Sequence, residues 1–209
     1  MTTKHQVHNL IILDESGSMR AIKDSIIDGF NELLQTAKEM QLKFPEQEHL
    51  ITFLSFNSKN FTFQMLNGSV QLLKPLNKDN YKPNDDTPLF DAIGMGISKI
   101  QELVKNTENF NVLVTILTDG AENASNKFTG EGIKLLVEVL STQRWTFTYV
   151  GTEHDVESIA DELSIKNTMR WEKNNESMHM MFASERSSRE IYFNKIMNNN
   201  NTSEDFYSK

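Results

Sequence analysis

The chain has 209 residues, a length suited to one large α/β domain, and carries 29 acids against 21 Lys and Arg, a net charge of -8. With no basic stripe, that balance argues against nucleic-acid phosphate as a ligand. The absence of cysteine excludes a disulfide framework, a thiolate metal site and a cysteine nucleophile.

The segment from Met1 to His8 is polar and lacks the apolar stretch of a signal peptide. Apolar runs reach only strand length, so no membrane span is expected and the cytoplasm is the expected compartment. Asn9 to Leu13 reads as a buried strand ending at Asp14. Ile22, Ile26, Phe30, Leu33, Leu34 and Ala37 follow helical spacing, which predicts an amphipathic helix ending before Pro45. Leu50 to Phe56 reads as a second strand. Phe61 to Met65 alternates strictly and precedes Asn67-Gly68, predicting a half-exposed edge strand followed by a turn.

Thr87-Pro88 has the form of a helix start, Thr as N-cap and Pro at the first helical position. Leu89, Ile93, Ile97, Ile100, Leu103 and Val104 would form its buried stripe. Val112 to Leu117 is nearly all apolar, as a central parallel strand covered on both faces requires. Thr129 to Leu140 predicts a helix, Trp145 to Val150 a strand stopped by Gly151, and Asp155 to Leu163 a short helix capped by Asp155. Thr168 to Trp171 reads as a last edge strand, and Met178, Met181 and Phe182 as part of a C-terminal helix. Strands alternating with helices imply a doubly wound, mostly parallel sheet. Residues 1–197 form the expected single domain. The Asn-rich polar tail, 198–209, is expected to be disordered.

Chemistry concentrates in Asp14-Glu15-Ser16-Gly17-Ser18, directly after the first strand. Ligands of open α/β sheets bind beyond the carboxyl ends of strands. Asp14, Ser16 and Ser18 alternate, so three short oxygen-bearing side chains can converge. Carboxylate and hydroxyl oxygens suit a hard cation such as Mg2+ or Mn2+. Three oxygens leave the coordination shell incomplete. Thr87 and Asp119, at a helix start and the end of the central strand, are the candidates to complete it.

These residues resemble the von Willebrand factor A domain and its metal-ion-dependent adhesion site. The resemblance rests on Asp14-x-Ser16-x-Ser18, Thr87 before Pro88, and Thr118-Asp119-Gly120, in that order. Glu122-Asn123 is similar to the bacterial intracellular members. The likeness spans roughly Val7 to Phe182. It implies a Rossmann-like fold with one antiparallel edge strand, helices on both faces, and the strands bearing Asp14 and Asp119 side by side. It also implies that Asp14, Ser16, Ser18 and Thr87 contact the metal and that Asp119 acts through water. A protein partner would then supply an Asp or Glu to an open coordination position.

Each residue also has a plainer reading. Ser18 or Thr87 could only cap a helix, Asp119-Gly120 could be a turn, and Glu122-Asn123 could order the site loop or form a surface turn. Asp91 reads as a favourable first-turn charge. The combination at three element ends favours metal. A non-enzymatic interaction module is the leading expectation. The alternative, a Mg-dependent phosphatase or phosphotransferase of haloacid-dehalogenase type, needs a second Asp where this chain has Ser16.

Overall fold

A computed structural model describes residues 4–152, 156–172, 175–203 and 205–207. Its elements run β1 (His5–Asp14), α1 (Lys23–Lys43), β2 (Gln47–Phe56), β3 (Phe61–Ser69), α2 (Leu89–Val104) and β4 (Phe110–Leu117). They continue with α3 (Gly130–Ser141), β5 (Trp145–Thr152), α4 (Val156–Glu162), β6 (Asn167–Trp171) and α5 (Asn175–Met197). Short 3-10 turns cover Gly17–Ile22 and Val70–Leu72.

The six strands form one sheet in the order β3-β2-β1-β4-β5-β6. Every pairing is parallel except β2 with β3. The expected mostly parallel α/β sheet with one antiparallel edge strand is therefore present. Alternation along each strand feeds two apolar layers. On one face Leu10, Ile12, Val114 and Ile116 pack with Ile93 and Ile97 of α2, Ile133 and Val137 of α3, and Ala160 of α4. On the other, Ile11, Leu13, Ile51 and Phe53 pack with Phe30 and Leu33 of α1 and Phe182 of α5. Fully burying each such side chain contributes about 1.5–3 kcal/mol. Helix α1 meets α5 closely at Gly29, where a β-carbon would fall 1.6 Å from the Phe182 ring. No helix among the described residues is long and apolar enough to cross a membrane.

Two local expectations need correction. Asn67-Gly68 is not a turn. Strand β3 continues through it to Ser69 with shifted register opposite Ile51 and Phe53, and Asn67 adopts a φ of 48°. Thr52 Oγ1 accepts the Asn67 N–H at 3.0 Å, so the irregularity is anchored from the neighbouring strand. Thr87 is not a helix cap. Helix α2 starts at Leu89 with Pro88 in the cap position and no side-chain cap bond. The described part of the Asn-rich tail lies against the sheet end and α5. Phe206 is buried against Tyr192 and Phe193, and Thr202 is buried beneath it in the chain. Thr202 accepts hydrogen bonds from Asn111 and Thr146, and Asn167 Oδ1 accepts the Phe206 N–H. Two buried side chains within a polar run were enough to hold it. The proposed Asp155 cap lies outside the described residues.

Candidate metal centre

Strand β1 lies between β2 and β4, and the connection after β1 runs to β2 on one side while the connection after β4 runs to β5 on the other. This is the crevice position of a doubly wound sheet. Asp14 ends β1, and Thr118-Asp119 directly follows β4, its neighbour. The sheet thus brings two acidic strand ends together across more than a hundred residues of sequence.

Asp14 is fully buried. Its Oδ1 accepts the Ser16 N–H at 2.7 Å and its Oδ2 accepts the Thr118 hydroxyl at 2.6 Å. The Tyr81 hydroxyl donates to the Asp14 carbonyl at 2.8 Å, fixing the backbone. Burial pushes the Asp14 carboxyl up to about 6; the Thr118 and Ser16 bonds pull against it, and the Asp119 charge adds to it. Asp14 makes no ion pair among the described residues. A buried carboxylate without a cation is costly.

The remaining oxygens gather on its solvent side. Ser16 Oγ lies 3.0 Å from Ser18 Oγ, and Ser18 Oγ donates to Asp119 Oδ1 at 2.6 Å. Thr87 Oγ1 joins them. A β-carbon placed on Gly120 would stand 3.1 Å from Thr87 Oγ1, 3.2 Å from Ser18 Oγ and 3.6 Å from Asp14 Oδ2. Three oxygens from two loops therefore surround one small space that the glycine of a third leaves open. Asp14, Ser16 and Thr87 form the buried side, while Ser18 is exposed. All five sequence-predicted residues are brought together. No group of three or more His, Cys, Asp or Glu side chains able to hold a metal ion occurs among the described residues. This site has two carboxylates, and hydroxyls supply the rest.

Backbone bonds lock the contributing loops. Asp85 O accepts the Gly17 N–H at 2.8 Å, and Glu15 O accepts the Asn84 N–H at 2.9 Å. Arg20 donates to the Pro83 carbonyl and to the Asn84 side chain. Glu122 and Asn123 order the site loop. Asn123 Oδ1 accepts the Thr87 N–H at 2.8 Å, and its own N–H donates to Thr87 O. Glu122 accepts from the Ala124 and Ser125 amides, the Ser125 hydroxyl and the Phe90 amide at the start of α2. Asp91 is buried and accepts the amides of Asn126, Lys127 and Phe128. Sequence reasoning missed Asp91, Thr118 and Tyr81. An acid in a first helical turn is favourable in any context, so Asp91 carried no distinguishing signal.

The architecture is shared with solved structures. A von Willebrand factor type A protein from Catenulispora acidiphila aligns with a TM-score of 0.55 at 14% identity, over 88% of this chain and 43% of that one. This chain has a von Willebrand factor A-like fold. Proximal thread matrix protein 1 from the mussel byssus aligns with a TM-score of 0.55 at 12% identity, over 86% of this chain and 44% of that one. Another structure of the mussel protein gives 0.53 at 11% identity. The chain spans less than half the length of these structures. No protein-family model and no curated protein matches the sequence.

Proposed function

We propose that this von Willebrand factor A-like domain is a non-enzymatic interaction module that binds a protein partner through a divalent cation, Mg2+ or Mn2+. The observation that carries the reading is Asp14, a fully buried carboxylate without an ion-pair partner among the described residues, facing two hydroxyls across the gap at Gly120. A hard cation supplies the missing positive charge, and hard cations prefer this oxygen set. Asp14, Ser16, Ser18 and Thr87 would hold it, with Asp119 beside Ser18 acting through water. Two carboxylates would balance the charge of a divalent ion. The exposed side at Ser18 then leaves room for a carboxylate from a partner's Asp or Glu, which the bound ion would attract and orient.

The phosphatase reading has less support. Its second acid would stand at Ser16, whose hydroxyl is instead buried against Ser18. The test pairs wild type with Asp14→Asn. Mg2+ or Mn2+ should raise the unfolding temperature of the wild type and leave Asp14→Asn unmoved, since only a ligand bound to the native state stabilises it. Partner capture should be lost with EDTA and restored with the ion. Equal thermal response in both proteins would remove the proposal.

A further inference from the structure

A second depression, of about 430 Å3, opens at the opposite end of the sheet from Asp14. It lies beside His5 at the start of β1 and Asn111 near the start of β4. The last turn of α3, Arg144, and the tail from Asn199 to Ser203 form its walls. Its size is within the range of small-molecule sites, about 300–1,000 Å3.

The lining departs from the rest of the molecule. The chain carries 29 acids, yet none of those among the described residues lines this depression. Amides, hydroxyls, one imidazole and one guanidinium face it, with Ile196 the single apolar side chain. Arg144 makes no ion pair among the described residues. Among the described residues its guanidinium hydrogen-bonds only to the Glu108 carbonyl, at 3.4 Å. The side-chain amides of Asn109, Asn199 and Asn200 make no hydrogen bond to the protein among the described residues. Donors are thus available around one positive charge. Burial holds His5 below its ordinary pKa range against the raising effect of its Asn111 bond, and the Arg144 charge adds to the lowering. Arg144 is therefore the fixed charge.

The floor is preorganised. Asn111 Oδ1 lies 2.9 Å from His5 Nε2, and its amide donates to Thr202 Oγ1 at 2.9 Å. The Thr146 hydroxyl donates to the Thr202 carbonyl at 2.7 Å. The buried Thr202 thus carries the Asn-rich tail across the strand ends, and the tail becomes a wall of the depression.

We infer that this depression is a binding site for a small polar carboxylic acid, its carboxylate on Arg144 and its hydroxyl-bearing body against the asparagine amides. One guanidinium matches one carboxylate. The space left beyond a carboxylate group calls for a hydrogen-bonding body.

Gluconate is a suitable probe, with sorbitol supplying the hydroxyls without the charge. Amide chemical shifts are followed by NMR during titration of the full chain to tens of millimolar. Gluconate should give saturable shifts confined to residues around Thr142–Trp145 and Asn199–Ser203, and sorbitol none. Arg144→Gln should weaken gluconate about tenfold or more, the scale of a lost charge-assisted bond. Asn109→Asp, a change at an exposed side chain, should do the same by placing a negative charge in the site, and serves if the Arg144 variant misfolds. Absence of saturable gluconate shifts, equal binding of sorbitol, or affinity unchanged in folded variants each overturns the assignment.

Discussion

Gly120 sits where side-chain oxygens of Thr87, Ser18 and Asp14 come closest to the β4 exit loop. Its φ is not positive, so an alanine there meets no backbone penalty, only the space its methyl would fill. Gly120→Ala should weaken Mg2+ or Mn2+ binding by at least about tenfold, while metal-free stability changes by less than about 1 kcal/mol. Calorimetric titration together with thermal unfolding separates the two effects. Tight metal binding by this variant would mean that the ion sits elsewhere. The contributing motifs Asp14-x-Ser16-x-Ser18, Thr87 and Asp119 were legible because each stands at an element end. Thr118 and Tyr81 were not. Their roles depend on which carboxylate and carbonyl the sheet places beside them.

Helix α5 rests on an unusually polar stretch of sheet. Arg189 and Glu185 are both buried and bonded at 2.8 Å. Arg189 also donates to Asn9 Oδ1 on β1 and Thr115 Oγ1 on β4, and Tyr207 donates to Glu185. Removing one partner of a buried pair leaves an uncompensated charge. Arg189→Met should therefore cost about 3–5 kcal/mol in urea unfolding, and adding Glu185→Gln should restore a large part of it. If the double variant is no more stable than the single one, the pair is not coupled in this way. This chemistry also explains why α5 was only weakly legible. Its inward face mixes Glu185, Ser188 and Arg189 with apolar residues, so no clean stripe appears. Strand β4 was the opposite case, because a strand covered on both faces must be apolar throughout.

The same region contains a pH-dependent contact. His49 on β2 is buried edge-on against the Phe193 ring of α5, with neither ring nitrogen hydrogen-bonded among the described residues. Burial above all, with the Arg189 charge adding, lowers its pKa to about 4 from the ordinary 6.5. Between those values the unfolded chain binds the proton and the folded one does not. Stability contributed by neutral His49 is complete above about pH 6.5 and is lost as pH falls toward 4, a change on the order of 2–3 kcal/mol. His49→Phe should flatten that part of the stability profile measured by chemical denaturation. An unchanged slope would place the titration on other groups.

At the scale of the whole molecule, the tail closes the sheet end opposite Asp14. Deleting residues 198–209 removes Phe206 from its aromatic contacts and Thr202 from Asn111 and Thr146. One buried aromatic and several net hydrogen bonds amount to about 3–5 kcal/mol. The truncated protein should unfold at a clearly lower temperature, and faster amide exchange should appear in β4 and β5. Identical melting of both forms would restore the expectation of an unattached tail.

Composition and periodicity by themselves determined the alternation of strands and helices, the apolar centre of the sheet and the strand ends where oxygen-bearing side chains stand. These follow from local rules, since burial on one face or two imposes a period on the residues. Only the tertiary structure decided that β1 stands between β2 and β4, which sets Asp14 beside Asp119. It also turned Thr87 from a cap into a site oxygen, made Asp91 the anchor of a loop, and drew an Asn-rich tail onto polar strand ends. Those outcomes depend on hydrogen bonds between residues far apart in the chain, and such bonds leave no period in the sequence.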